Sequence, residues 1–179
     1  MNILAPFYSG DVVLMGIFSI MILISVHNWC IAMFKFYMIK KQKKLDKATI
    51  EKDLNLEYSK DLLGLELAYK NIESLLEIKR NYLEKHIGFL ATSASTTPFI
   101  GLLGTVWGIA KALKAIAISG NASLSVISGP IGEALISTAV GLFVAIPASI
   151  FYNTILAQIE EIVAENKKYF EMQVIKYFK

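Results

Sequence analysis

Two apolar stretches of this 179-residue chain hold the polar groups whose types and spacing could do chemistry. GFLATSASTTPFIGLLGTVWGIA (Gly88–Ala110) carries Thr92, Ser93, Ser95, Thr96, Thr97 and Thr105 among Pro98, Gly101, Gly104 and Gly108. GPIGEALISTAVGLFVAIPASIFYN (Gly129–Asn153) carries Glu133, Ser137, Thr138 and Ser149 among Gly141 and Pro147. On a helix, Ala134, Thr138, Gly141, Ala145 and Ala148 step 4-3-4-3 down one face, and Leu135, Leu142 and Ile146 fall elsewhere. Gly104 and Gly108 form a GxxxG pair, and small residues at these spacings let helix backbones approach closely. Two readings are open. The hydroxyls bond nearby carbonyls inside a packed bundle, or they line a narrow pore or a groove for a partner helix, where they hold water or an ion. The density of such residues in two stretches of one chain supports the second reading.

Glu133 is the sharpest single residue, because an ionised acid at bilayer depth is costly unless paired, hydrated or protonated. A helix beginning near Gly129 puts it about 5 Å deep, so a structural acid at the rim is the alternative. It lies about 140° around the helix from Thr138, so the two need not share a face. Pro98 and Pro147 are expected to kink their helices, and His27 and Asn28 to form interhelical hydrogen bonds. Lys40–Lys44 (KKQKK) suits anionic lipid headgroups. A lone cysteine, Cys30, excludes an internal disulfide framework and multi-cysteine metal motifs, and two histidines are too few for a metal cluster. There is no phosphate-cradling glycine loop, no nucleophile–base set and no metal-ligand spacing. Neither an enzyme nor a cofactor is expected.

The elements that must position these groups follow from where charge is missing. The chain is 55% hydrophobic and only 18% charged, well under the quarter usual in soluble domains. Charge is absent over 23 residues from Val12 to Phe34, over 25 from His86 to Ala110, and over 26 from Ala134 to Ile159. Each gap exceeds the roughly 20 residues that an α-helix needs to cross a bilayer. The expectation is an all-α membrane protein with transmembrane helices at 12–34, 87–110 and 130–156. Strand-like alternation is missing, which disfavours a β-barrel.

Of the 18 basic residues, 12 lie in 35–86 and four in 157–179, while 1–11 has none. The positive-inside rule then puts 1–11 and the 111–129 loop in the periplasm, and 35–86 and 157–179 in the cytoplasm. Trp29, Phe34, Phe36 and Tyr37 mark the inner border of the first span, and Trp107 the outer border of the second. Between the first two spans, Leu62, Leu65, Tyr69, Ile72, Leu76 and Leu83 recur at three- and four-residue steps, with Lys79 breaking the row, an amphipathic helix expected to run through Lys85 into the second span as one rod. Ile155, Ile159, Ile162, Val163, Phe170 and Val174 repeat the pattern, so the third helix also extends into the cytoplasm. These apolar stripes suggest a homo-oligomer. A net charge of +3 with a single arginine, Arg80, argues against nucleic-acid binding.

STTPFIGLLGTVWGI (Ser95–Ile109) and EALISTAVGLFVAIPASIFYN (Glu133–Asn153) resemble the second- and third-helix signatures of the ExbB/TolQ family of inner-membrane proton-channel proteins, distantly related to the flagellar stator subunit MotA. A MotA-type stator fits less well, with three spans in place of four. The short outer N-terminus and the SVHNW segment (Ser25–Trp29) lean toward TolQ over ExbB. The resemblance implies a ring of five chains whose second and third helices line a pore. A dimer of an ExbD/TolR-type single-span protein occupies that pore, and its aspartate carries the proton. Force then reaches TonB or TolA for outer-membrane import or envelope maintenance. By motif position the functional threonines are Thr105 and Thr138, and the functional glutamate is Glu133. The residues themselves agree in one respect: no charge lies deep in any span, so a proton carrier must come from another protein. Gly129-Pro130-Ile131-Gly132 departs from the family's usual Pro-Gly-Ile-x, and the segment between the first two spans is shorter than in typical members. The competing reading is a structural oligomeric scaffold without ion conduction.

Overall fold

The computed structural model describes residues 11–53 and 62–178. The described residues form four helices and no strand: α1 (Val12–Asp53), α2 (Leu62–Glu84), α3 (Gly88–Ser119) and α4 (Leu124–Phe178). Three of them are long and apolar enough to cross a membrane, over Val12–Gln42, Gly88–Ser119 and Leu124–Lys176. The chain is therefore an all-α membrane protein, as expected. The expectations for Met1–Gly10 lie outside the described residues.

The helices contribute to two packed units, Met1–Cys30 with Phe89–Phe151, and Ile31–Gly88 with Tyr152–Lys179. In the first, Leu14, Ile17, Phe18 and Met21 on α1 pack with Ile136 and Val144 on α4, and Ile24, Ile100 and Val140 sit against them. Outward-facing residues such as Leu23, Phe99 and Phe143 are apolar and exposed, as a surface meeting lipid tails or another helix requires. Asp11 caps α1 by accepting hydrogen bonds from the Val13 and Leu14 amides at 3.0 and 3.4 Å.

In the second unit, Ala68, Ile72 and Leu76 on α2 pack against Phe170 and Val174 on α4. Ile155, Ile159 and Ile162 are buried as the sequence pattern requires. The seam on α2 is rotated from the expected one. Gly64, Ala68, Ile72, Leu76 and Leu83 are buried, whereas Leu62 and Tyr69 are exposed. Ala68 packs in the cluster that holds the bulky Phe170 of α4, so small residues take the inward face that a count of large apolar residues assigns to Leu62 and Tyr69. Lys35 is buried too, and its Nζ donates to the Leu83 carbonyl at 2.9 Å, one of the carbonyls that the end of α2 leaves unsatisfied.

Two helix limits differ from the sequence reading. The rod expected to run through Lys85 is broken by a turn at 85–87, where His86 adopts a positive φ of 72°. Histidine tolerates this left-handed conformation better than most residues do, so α2 ends without a Gly or Pro signal. At the other end, α3 continues to Ser119 and α4 begins at Leu124, so most of 111–129 is helical. Gly120, at φ 65°, closes α3 through its N–H to the Ile116 carbonyl. The Ser123 carbonyl accepts the first bond of α4 from the Val126 N–H at 3.0 Å. Pro130 suggests a helix start by sequence but sits inside α4.

Candidate functional site: the hydroxyl and glycine seam of α3 and α4

The first unit brings α3 and α4 together through their smallest residues. A Cβ added at Gly101 would lie 2.9 Å from the Ser137 carbonyl oxygen, and one at Gly141 would lie 2.7 Å from that of Thr97. At Gly108 it would meet Ala134 Cβ at 2.6 Å, and at Gly104 it would collide with the Ser137 hydroxyl. Gly101, Gly104, Gly108, Ala134 and Gly141 thus form one tight contact, whose close approach needs glycine at 101 and 141. Ala145 and Ala148 continue the buried face of α4. The GxxxG pair is used inside the chain, between its own helices.

This approach brings the two threonines into contact. Thr105 Oγ1 and Thr138 Oγ1 hydrogen-bond each other. Thr105 Oγ1 also donates to the Ala134 carbonyl at 3.2 Å, and Thr138 Oγ1 lies 3.4 Å from the Gly101 carbonyl. Both side chains are part-buried. Two exchangeable hydroxyls and two helix carbonyls therefore converge, a set able to hold a water molecule or accept a proton-bearing group without fixed charge. Deeper in the seam, Ser137 is buried with its hydroxyl unpartnered. Before Pro98, Thr96 and Thr97 instead bond their own helix, to the Thr92 carbonyl at 2.8 Å and the Ser93 carbonyl at 2.6 Å. Those hydroxyls fit the close-packing reading, and the 105–138 pair stands apart from them. Pro98 and Pro147 lie inside continuous helices.

Glu133 is not in the threonine cluster. Its carboxylate faces Lys111 Nζ at 3.4 Å, and Lys111 also pairs with Asp11 at 2.8 Å. Trp107 Nε1 donates to the same Asp11 oxygen at 3.1 Å. Burial pushes the Asp11 carboxyl up, but the bonds from Lys111 and Trp107 outweigh this and leave it below the ordinary carboxylate range. Asp11 and Lys111 escape a reading that looks inside the spans, because each sits just beyond a charge-free stretch. The available signal was positional, since the predicted topology puts Asp11, Lys111 and Glu133 at the same end. At the other end of the unit, His27 packs edge-on against Phe89 with ring centroids 4.5 Å apart, and Trp29 does so against Phe151 at 4.9 Å. Asn28 does not make the interhelical hydrogen bond expected of it. It is buried with both amide atoms unpartnered.

Comparison with known proteins identifies the family. Residues 41–168 match the MotA/TolQ/ExbB proton channel family, well over half of the chain. The chain belongs to that family. Over 190 residues it is 36% identical to the biopolymer transport protein ExbB of Neisseria meningitidis serogroup A, covering 86% of both chains. It is 56% identical over 71 residues to ExbB of Xanthomonas campestris pv. campestris, covering 40% of this chain and 28% of that one. It is 48% identical over 81 residues to the Tol-Pal system protein TolQ of Pseudomonas aeruginosa, covering 45% of this chain and 35% of that one. Glycines and threonines of the α3–α4 seam all lie within the matched residues.

Proposed function

We propose that this protein is the ring-forming subunit of an inner-membrane motor driven by the proton-motive force, with Thr105 and Thr138 in the proton path. The observation that carries the reading is the contact between those two hydroxyls at a seam built of small, uncharged residues. Neutral hydroxyls hydrate or relay a proton but do not store one, so the titrating carboxylate belongs to a single-span ExbD/TolR-type partner held against α3 and α4. Five copies form the ring around a dimer of that partner. The ring lies in the bacterial inner membrane with the N-terminus in the periplasm and the C-terminus in the cytoplasm. Glu133 lies at the periplasmic end of the path, and Pro98 and Pro147 shape the two lining helices. Lipid headgroups bind the lysines that follow the first span.

Force passes to a TonB- or TolA-type protein. ExbB of Neisseria meningitidis aligns over most of the chain, whereas ExbB of Xanthomonas campestris and TolQ of Pseudomonas aeruginosa align over less than half. The long Neisseria alignment supports a TonB-linked complex for import across the outer membrane, and the SVHNW segment leans to TolQ. The experiment is to replace each threonine by Val, which keeps the shape and removes the hydroxyl. Proton-driven activity should disappear while the oligomer, sized in native detergent micelles, stays intact. A scaffold without ion conduction predicts instead that both variants keep full activity and only bulky changes at Gly104 do harm.

A further inference from the structure

Three charged side chains from three helices meet around Lys111. Its ammonium lies 2.8 Å from Asp11 Oδ2 at the head of α1 and 3.4 Å from Glu133 Oε2 on α4. The sharing is uneven, with the short contact to Asp11 and the long one to Glu133. Asp11 is held firmly: Oδ1 caps α1 through the Val13 and Leu14 amides, and Oδ2 also accepts from the Trp107 indole. Its side chain is 10% exposed and that of Glu133 is 16%, so solvent screens this cluster only partly. An ammonium on a flexible four-carbon stem, offered two carboxylates, moves toward whichever is the stronger acceptor.

We infer that Lys111 is a positioning residue for Glu133, and that Asp11 sets how tightly Lys111 holds it. While Asp11 is ionised it draws the ammonium toward α1 and leaves the Glu133 carboxylate loosely held. Loss of the Asp11 charge lets the ammonium close on Glu133 and pins it. This rests on the reading above that Glu133 takes part in ion passage.

The test is proton uptake by right-side-out membrane vesicles that hold the native complex. Asp11→Asn keeps the helix cap, because Asn caps as well as Asp does, and it removes the charge together with the Oδ2 acceptor that Lys111 and Trp107 share. It should slow uptake by about fivefold, the scale of a part-buried ion pair. Adding Lys111→Gln should restore uptake to within about twofold of the unaltered complex, and Lys111→Arg alone should leave it near normal. A merely structural tie predicts the opposite, with the double variant worse than either single one. The inference is overturned if Asp11→Asn uptake is unchanged or if the double variant is as slow as Asp11→Asn. If Glu133→Gln conducts normally, the role of Glu133 in ion passage is what fails. Positioning is then read from thermal unfolding, as the Lys111–Glu133 coupling in a double-mutant cycle. That coupling should grow when Asp11→Asn is introduced, and a coupling that is zero or unchanged overturns the inference by itself.

Discussion

The α3–α4 contact of the first unit and the α2–α4 contact of the second are both helix pairs, but they are built from opposite materials. The first uses Gly101, Gly104, Gly108, Ala134 and Gly141, with backbone against backbone. The second uses Ile72, Leu76, Phe170 and Val174. In the topology proposed above, with the first unit in the bilayer and the second in the cytoplasm, solvent explains the difference. Among lipid tails, burying a leucine against another helix gains little, so close packing and hydrogen bonds must hold the pair. In water the same burial is worth roughly 1.5–3 kcal/mol per large side chain, and large side chains win. The contrast also bears on function. A seam of glycines brings hydroxyls and carbonyls within bonding distance, which a seam of leucines and phenylalanines cannot do.

The comparison breaks most visibly at the glycines. Gly101→Leu pushes a side chain into the Ser137 backbone, which cannot yield as a flexible side chain would. The expected loss is roughly 3 kcal/mol or more, the upper end for overpacking, read as a lost monodisperse peak in gel filtration of the detergent-solubilised protein. Gly16→Leu is the control, because nothing lies within 4 Å of a Cβ there, and it should behave as the unaltered chain does. In the second unit the dependence is reversed, since removing bulk is what hurts. Leu76→Ala should cost about 2–3 kcal/mol through lost burial and a residual cavity, measured by chemical denaturation.

The smallest expected effect is the pH dependence of the tie at Asp11. Its carboxyl sits below the ordinary range in the folded protein, so its stabilising effect is complete above that range and is lost as pH falls through the lowered value. Solvent access limits the effect to at most about 1 kcal/mol. Melting temperature followed below pH 5 should therefore fall less steeply for Asp11→Asn than for the unaltered chain, and equal slopes would remove Asp11 from the account.

Much of the fold was legible in the sequence because the bilayer imposes a simple rule. A long run without charge must be a helix, and three such runs gave three spanning helices. The residues of the tight seam were legible for the same reason, since Gly, Ala, Ser and Thr at three- and four-residue steps have few other uses in a membrane helix. Their neighbour was not. Nothing in the spacing says that Gly108 meets Ala134 of the same chain and not a partner helix. The break at His86 was illegible because a left-handed histidine leaves no Gly or Pro mark, and the rotated seam on α2 because Gly64 and Ala68 look weak beside Leu62 and Tyr69. The cluster of Asp11, Lys111 and Glu133 was hidden by distance along the chain, with 96 residues separating Asp11 from Trp107.

The central claim is that the hydroxyls of Thr105 and Thr138 serve ion passage and are not merely packing. Proton uptake by vesicles holding the native complex, compared between the unaltered chain and Thr105→Val or Thr138→Val, tests it most directly. The account predicts at least about a tenfold loss in each variant, with unfolding midpoints and oligomer size unchanged. Uptake at the unaltered rate in both variants would contradict it.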